Sequence, residues 1–201
     1  EGIYKAFCAA SLDLNLSPPS SSDFRRLIGP PVNIIYQKIF NHPSKESLFV
    51  ERFRFYYDTM YFGDFYFYDS LLSTLHTIIE FNLSISIVTN KPTSPSLSII
   101  SNLPFLHRNV NPLIGFDFFG TSVKYKTSFK TYSILYISNL LQIPLSDLCY
   151  VGDTLQDYHC SAEAGVRFIG CKYGFDQQIS SLSSIPLIDH ISSLPSVLRL
   201  S

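Results

Sequence analysis

Two carboxylates, Asp153 and Asp157, stand four residues apart behind the apolar run Leu148-Cys149-Tyr150-Val151 and Gly152. Hard oxygen ligands reached through a flexible glycine suit Mg²⁺, which accepts one or two protein carboxylates and completes its sphere with water and phosphate. The segment also reads as an aspartate capping a helix, with a second one solvated in its first turn. A second chemical feature is Ile87-Val88-Thr89-Asn90-Lys91-Pro92, an apolar run ending in a hydroxyl and an amide. Thr89 and the backbone N–H groups beyond it, Asn90 among them, can hold a phosphate oxygen. Strand–Thr–Asn turns are also common purely as turns. Lys130, near the start of a helical pattern, is the third; a lysine there ordinarily lies on the surface.

The elements that must position these residues change character along the chain. Up to about Tyr68 the pattern is helical. Ile3, Phe7 and Ala10 repeat at helical spacing, the serine- and proline-rich stretch from Ser17 is a loop, and Ser22 or Asp23 is expected to cap a helix carrying Phe24, Leu27 and Ile28. Gly29-Pro30-Pro31 breaks it. A helix from Ser44 through Tyr57 is expected to turn Leu48, Phe49, Arg52, Phe53 and Tyr56 inward.

From Asp69 strands and helices alternate. Asp69 is expected to cap a helix with Leu71, Leu72, Leu75, Ile78 and Ile79 inward. A strand over Leu83 to Thr89, a helix near Leu97 to Leu103, a short run at Phe116 to Phe119 and a helix from about Ser128 to Leu141 follow. Strands are then expected at Leu148 to Val151, Val166 to Gly170 and Pro186 to Ile188. Gly165 ends a helix between the first two, and Pro195 opens a last one. This alternation implies a mostly parallel sheet covered on both faces. Such sheets bind ligands beyond the carboxyl ends of their strands, where Thr89 and Asp153 fall. The division predicts a helical domain over 1–68 and an α/β domain over 69–201.

Bulk composition narrows the partners. The 201 residues are 46% hydrophobic and 15% aromatic, enough for one sizeable core or a core with a small accessory domain. Net charge is −1, without the basic excess of a phosphate-backbone binder, so neither nucleic acid nor membrane is expected. No stretch approaches the roughly 20 apolar residues that span a bilayer. Cys8, Cys149, Cys160 and Cys171 form no Cys-x-x-Cys pair, which suits a reducing cytoplasm. The five histidines show no ligand spacing, and the aromatic run Tyr61 to Tyr68 is read as packing rather than a ligand platform.

Taken in order, Thr89 after one strand, Lys130 at a helix start and Gly152-Asp153-x-x-x-Asp157 after the next strand resemble the haloacid dehalogenase superfamily. Ala162-Glu163-Ala164-Gly165-Val166, Phe168-Ile169-Gly170 and Tyr173-Gly174 extend the likeness to its phosphoglycolate-phosphatase-like branch. The helical first third, with Gly29-Pro30-Pro31, resembles that branch's cap, so the likeness covers essentially the whole chain. It implies a Rossmann-like parallel-sheet core with a small helical cap domain at the N-terminus. It further implies a Mg²⁺-dependent phosphatase that cleaves a small phosphorylated metabolite through an aspartyl-phosphate. Thr89 and Lys130 match positions that hold phosphate oxygens. Asp153 matches a Mg²⁺ ligand, Asp157 a residue that binds the metal or orients its ligands, and Asn90 a backbone donor. Arg26, Gly29 and Pro30 are cap residues expected to wall the substrate.

One departure stands out. The family's nucleophile lies on an Asp-x-Asp-Gly turn ahead of the cap, and none of the early acids, Glu1, Asp13 and Asp23, is part of such a turn. The expectation is a truncated sequence whose first core strand lies upstream of residue 1. Its absence leaves an apolar slot in the sheet, at roughly 25 cal/mol per Å² left wet, and a chain that binds metal poorly and turns over nothing. A phosphomutase or dehalogenase on the same scaffold, and a non-catalytic binding or regulatory module, are the alternatives.

Overall fold

A computed structural model describes residues 1–40, 42–102, 105, 110–115, 117–119 and 128–200. The chain divides into two compact units, Glu1–Tyr66 and Phe67–Ser201.

The first unit is helical: α1 Gly2–Asp13, α2 Ser21–Arg25, α3 Val32–Ile39 and α4 Glu46–Tyr56, the last running into a π-helical turn, Tyr57–Tyr61. Its core is aromatic. Phe7 of α1 lies 4.7 Å from Phe24 and 4.8 Å from Phe49 between ring centroids, and Tyr36 lies 4.7 Å from Phe49. Tilted and edge-on pairs of this kind add about 0.5–1.5 kcal/mol each beyond area burial. Helix α2 is capped by Ser20, whose side chain accepts from the Asp23 N–H, rather than by Ser22 or Asp23. Helix α3 begins directly after the Gly-Pro-Pro break, an element absent from the expectation; Pro31 supplies an extended φ, ψ ahead of it. On α4 the inward stripe is narrower than predicted: Phe49 is fully buried, Phe53 and Tyr56 pack against the core, and Leu48 is 42% exposed.

The second unit contains α5 Leu71–Glu80, β1 Ile85–Thr89, α6 Thr93–Ser101, β2 Val110–Gly115, α7 Phe129–Leu141, β3 Cys149–Gly152, α8 Leu155–Ala164, β4 Arg167–Cys171, β5 Leu187–Ile188 and α9 Leu194–Leu198. Gly165 closes α8 in the left-handed conformation at φ 75°, as its residue type predicts. Asp69 does not cap α5. Ser70 occupies that position with φ 61° and no capping hydrogen bond from its side chain. Leu72 of the same helix faces solvent.

Strand β2 lies where no strand was expected. Pro112 disguises it, because a proline inside an apolar run argues against a strand. The proline is accommodated because β2 pairs on one side only among the described residues, with β1, and the register between them shifts from Ile85↔Val110 to Ile87↔Leu113, absorbing one extra residue. The run expected at Phe116 to Phe119 is a turn over 117–119, and Phe116 lies outside the described residues. Leu103, which would end the expected helix near Leu97, lies outside them too.

All described strand pairs are parallel, but they form two sheets rather than one: β1–β2 and β3–β4–β5. Strand alternation separates the faces. Ile85, Ile87, Leu113, Cys149, Ile169 and Cys171 share clusters with Leu75 or Ile78 of α5, whereas Val88, Ile114 and Tyr150 share clusters with α7. Helices α5 and α7 therefore each span both sheets, one on either face. That apolar packing, not hydrogen bonding between β1 and β3, joins the two half-sheets among the described residues.

Candidate functional site

The turn after β3 folds locally around a capping box. Thr154 caps α8, its hydroxyl accepting from the Asp157 N–H while the Asp157 carboxylate accepts from the Thr154 N–H. Asp157 is 3% exposed, and a carboxylate so buried needs partners on both oxygens. It has them. Oδ1 accepts from Lys130 Nζ at 2.6 Å and from the Tyr150 hydroxyl at 3.0 Å; Oδ2 accepts from Thr154 Oγ1 at 2.7 Å and Thr154 N at 3.2 Å. Gly152 makes room for this group: a Cβ there would stand 2.5 Å from Asp157 Cβ and 2.8 Å from its Cγ.

The electrostatics follow. Burial pushes the Asp157 carboxyl up, but the Lys130 charge and hydrogen bonds from Lys130, Thr154 and Tyr150 outweigh it and hold the group below the usual carboxylate range. The Tyr150 phenol moves the other way, driven well above its ordinary value first by burial and then by the adjacent Asp157 charge. Lys130 side-chain exposure is only 12%, so this is an interior ion pair, not a surface lysine.

Asp153 differs from its neighbour. One oxygen, Oδ2, accepts from the Phe175 N–H at 2.8 Å, and the residue's own backbone N–H also bonds to the carboxylate. Burial raises its carboxyl above the usual range, with the Phe175 N–H pulling it back. Gly174, just before Phe175, is required by proximity, since a Cβ there would overlap the Asp153 side chain. Asp176 completes the turn's bonding, its Oδ2 accepting from the Leu155 N–H at 3.0 Å.

On the other half-sheet, Thr89 ends β1 opposite Gly115. Its hydroxyl accepts from the Lys91 N–H at 3.1 Å, closing a small local turn at the strand end. Asn90 is half-buried beside it. Asp117, past β2, accepts from Thr93 N at 2.6 Å and Thr93 Oγ1 at 2.8 Å, and so ties the two strand ends to the start of α6. Gly115 admits that closeness, because a Cβ would run into the Thr93 backbone.

The start of α7 touches both carboxyl-end rims. Ser128 caps it by accepting from the Thr131 N–H. Phe129 lies 6.4 Å from Phe119 in the turn after β2, and the next residue, Lys130, pairs with Asp157 in the turn after β3. Arg26 is exposed in the other compact unit; Gly29 there has φ 138° and Pro30 is half-buried.

Among the described residues no group of three or more His, Cys, Asp or Glu side chains could hold a metal ion. The donor set fits Mg²⁺ in a narrower way: Asp153 is a hard carboxylate held only by backbone N–H groups, whereas both oxygens of Asp157 are already committed to Lys130, Tyr150 and Thr154. An ion that keeps several waters and takes one or two carboxylates together with phosphate is compatible with that supply. Tyr150, Thr154 and Asp176 were not singled out from sequence. The Thr154-x-x-Asp157 spacing is the signal that could have revealed the capping box; nothing in the sequence marks Tyr150 or Asp176.

The model of the family described as haloacid dehalogenase-like hydrolase matches residues 1–171. Among solved structures, a haloacid dehalogenase-like family hydrolase from Streptococcus pneumoniae is similar with a TM-score of 0.85 at 18% identity, over 98% of this chain and 90% of that one. A predicted phosphatase from Clostridium acetobutylicum gives 0.84 at 20% identity, over 99% and 91%. A predicted phosphoglycolate phosphatase from Haemophilus somnus 129PT gives 0.85 at 18% identity, over 98% and 90%. At these identities the likeness establishes the fold. Among curated proteins none matches. No helix of the described residues is long and apolar enough to cross a membrane.

Proposed function

We propose, on the premise that this chain belongs to the haloacid dehalogenase-like hydrolases, that its protein is a Mg²⁺-dependent phosphatase acting on a small phosphorylated metabolite. The observation that carries the reading is the contrast between two neighbouring carboxylates: Asp157 is saturated by four donors, among them the Lys130 ammonium, and Asp153 accepts only from two backbone N–H groups among the described residues, that of Phe175 and its own. Asp153 is then the direct Mg²⁺ ligand, and Asp157 the residue that positions Lys130. The ion, when bound, supplies positive charge to the phosphate oxygens.

The remaining work belongs to the chain's own side chains. Lys130, aligned by Asp157, carries its ammonium to the rim where phosphate charge develops. The Thr89 hydroxyl and the N–H groups after it, including that of Asn90, hold further phosphate oxygens. Asp153 and Lys130 thus share the anion from two directions. No Asp-x-Asp pair occurs in the 201 residues, so none of them is assigned as the aspartate that attacks phosphorus and carries the aspartyl-phosphate. Four free thiols suit a reducing, cytoplasmic setting.

The test is p-nitrophenyl phosphate hydrolysis by the full-length protein with and without Mg²⁺. Turnover that requires Mg²⁺ and disappears in Asp153→Asn is expected; undiminished turnover in that variant removes the metal assignment. The lack of an Asp-x-Asp pair also favours a second reading, a binding module without catalysis, and a full-length protein that binds phosphate esters without hydrolysing them decides for it.

A further inference from the structure

The segment after β4 does more than connect strands. Gly174-Phe175-Asp176 lies against Asp153-Thr154-Leu155 through two reciprocal contacts: the Asp153 carboxylate accepts from the Phe175 N–H at 2.8 Å, and the Asp176 carboxylate accepts from the Leu155 N–H at 3.0 Å. Each segment gives one carboxylate and one backbone donor to the other. Gly174 sets the spacing, since any side chain there would collide with Asp153. The second oxygen of Asp176 accepts from the Gln178 N–H at 2.9 Å, so its own carboxylate is held from behind.

We infer that Asp176 and Gly174 are positioning residues for the Asp153 carboxylate, forming a clasp that holds its Oδ2 on the Phe175 N–H and so fixes the orientation of the whole carboxylate. The inference rests on the reading of Asp153 as the metal ligand. A carboxylate that can rotate about two side-chain torsions loses entropy when it binds an ion; one already held by the Phe175 N–H has largely lost it beforehand. Groups that orient a ligand in this way typically change metal affinity by about 10–100-fold when removed. The chemistry of the clasp is asymmetric. The Phe175 N–H cannot be removed without changing the backbone, but the Asp176 acceptor can be, and with it the tie that keeps Phe175 beside Asp153.

The experiment uses the full-length protein, with Mn²⁺ as the probe. Binding is followed by the electron paramagnetic resonance of free Mn²⁺, and hydrogen exchange of the Leu155 amide is measured in parallel. Asp176→Ala is expected to expose the Leu155 amide to exchange and to weaken Mn²⁺ binding about tenfold. Asp176→Asn keeps one oxygen for the Leu155 N–H and is expected to fall between that variant and the parent. Gly174→Ala is expected to weaken Mn²⁺ binding without losing the Asp176 contact. A purely structural role would lower the melting temperature and leave Mn²⁺ affinity where it was, and that result in Asp176→Ala overturns the inference. So does an unchanged Leu155 exchange rate in the same variant. Should Asp176→Ala fail to fold, Asp176→Asn and Gly174→Ala decide by the same two readouts. If the parent protein itself binds no Mn²⁺, the metal reading falls and takes this inference with it; parent binding with unaltered variants sinks the clasp alone.

Discussion

The two half-sheets end in rims of different construction. Beyond β3, three aspartates lie close together, and each is bonded into the turn by backbone or side-chain donors. Beyond β1 and β2 the corresponding groups are a neutral threonine with one described hydrogen bond and an exposed Asp117 that ties a helix start. The physical reason is the cost of charge. A carboxylate drawn out of water demands donors for both oxygens, so the β3 rim is cross-linked, whereas a hydroxyl is satisfied by one turn N–H and water. Rigidity at this site follows where the negative charge is buried.

The comparison is most exposed at Lys130. Replacing it with Met leaves Asp157 buried without its counter-charge, and removal of one partner from a buried ion pair costs about 3–5 kcal/mol. Urea unfolding of Lys130→Met should show that loss; a change below about 1 kcal/mol, the surface-pair range, means that the pair is solvated and the contrast between rims is false. Thr89→Val probes the other side. It deletes one hydroxyl whose partner, the Lys91 N–H, is half-buried, so a stability cost of about 1 kcal/mol or less is expected. Phosphatase turnover should nonetheless fall by about 10²-fold, the usual result of removing one donor to an anion that develops charge. A stability loss matching that of Lys130→Met would erase the distinction.

The smallest expected effect is the sharpest in sign. Asp157 has a depressed folded-state value, so its contribution is present above the ordinary 3.8 and is lost as pH falls through that lower value. Asp153 has a raised value, so its contribution is present below 3.8 and is lost as pH rises through the raised value. In metal-free protein, Asp157→Asn should therefore flatten the acid-side decline in stability, and Asp153→Asn should remove a decline that sets in on raising the pH above about 4. Melting curves across that range check both; slopes of the same sign in the two variants would contradict the assigned environments.

Much of this was legible beforehand for identifiable reasons. Val88-Thr89, Tyr150-Val151-Gly152 and Gly165-Val166 are local signals, an apolar run followed by a turn former, and the structure places strand or helix ends at each. The superfamily follows from the order in which these occur. The misses share a cause too. Pro112 hides β2, which pairing on one side only and a register shift allow. Ser70, not Asp69, takes the cap of α5, because the left-handed turn before the helix is a matter of backbone fit rather than side-chain type.

What residue order alone settles is therefore the list of elements that carry a pattern and the polar residues that end them, because period and turn chemistry act over a few neighbours. Partnership is decided only in three dimensions. Lys130 and Asp157 lie 27 positions apart, as do no residues that a helix or turn could join, and the sequence offers no clue that Tyr150 will point at the same oxygen. Burial sets those choices: once packing removes Asp157 from water, whichever donors the fold brings within reach must satisfy it, while Asp153, less enclosed, is held by backbone N–H groups alone.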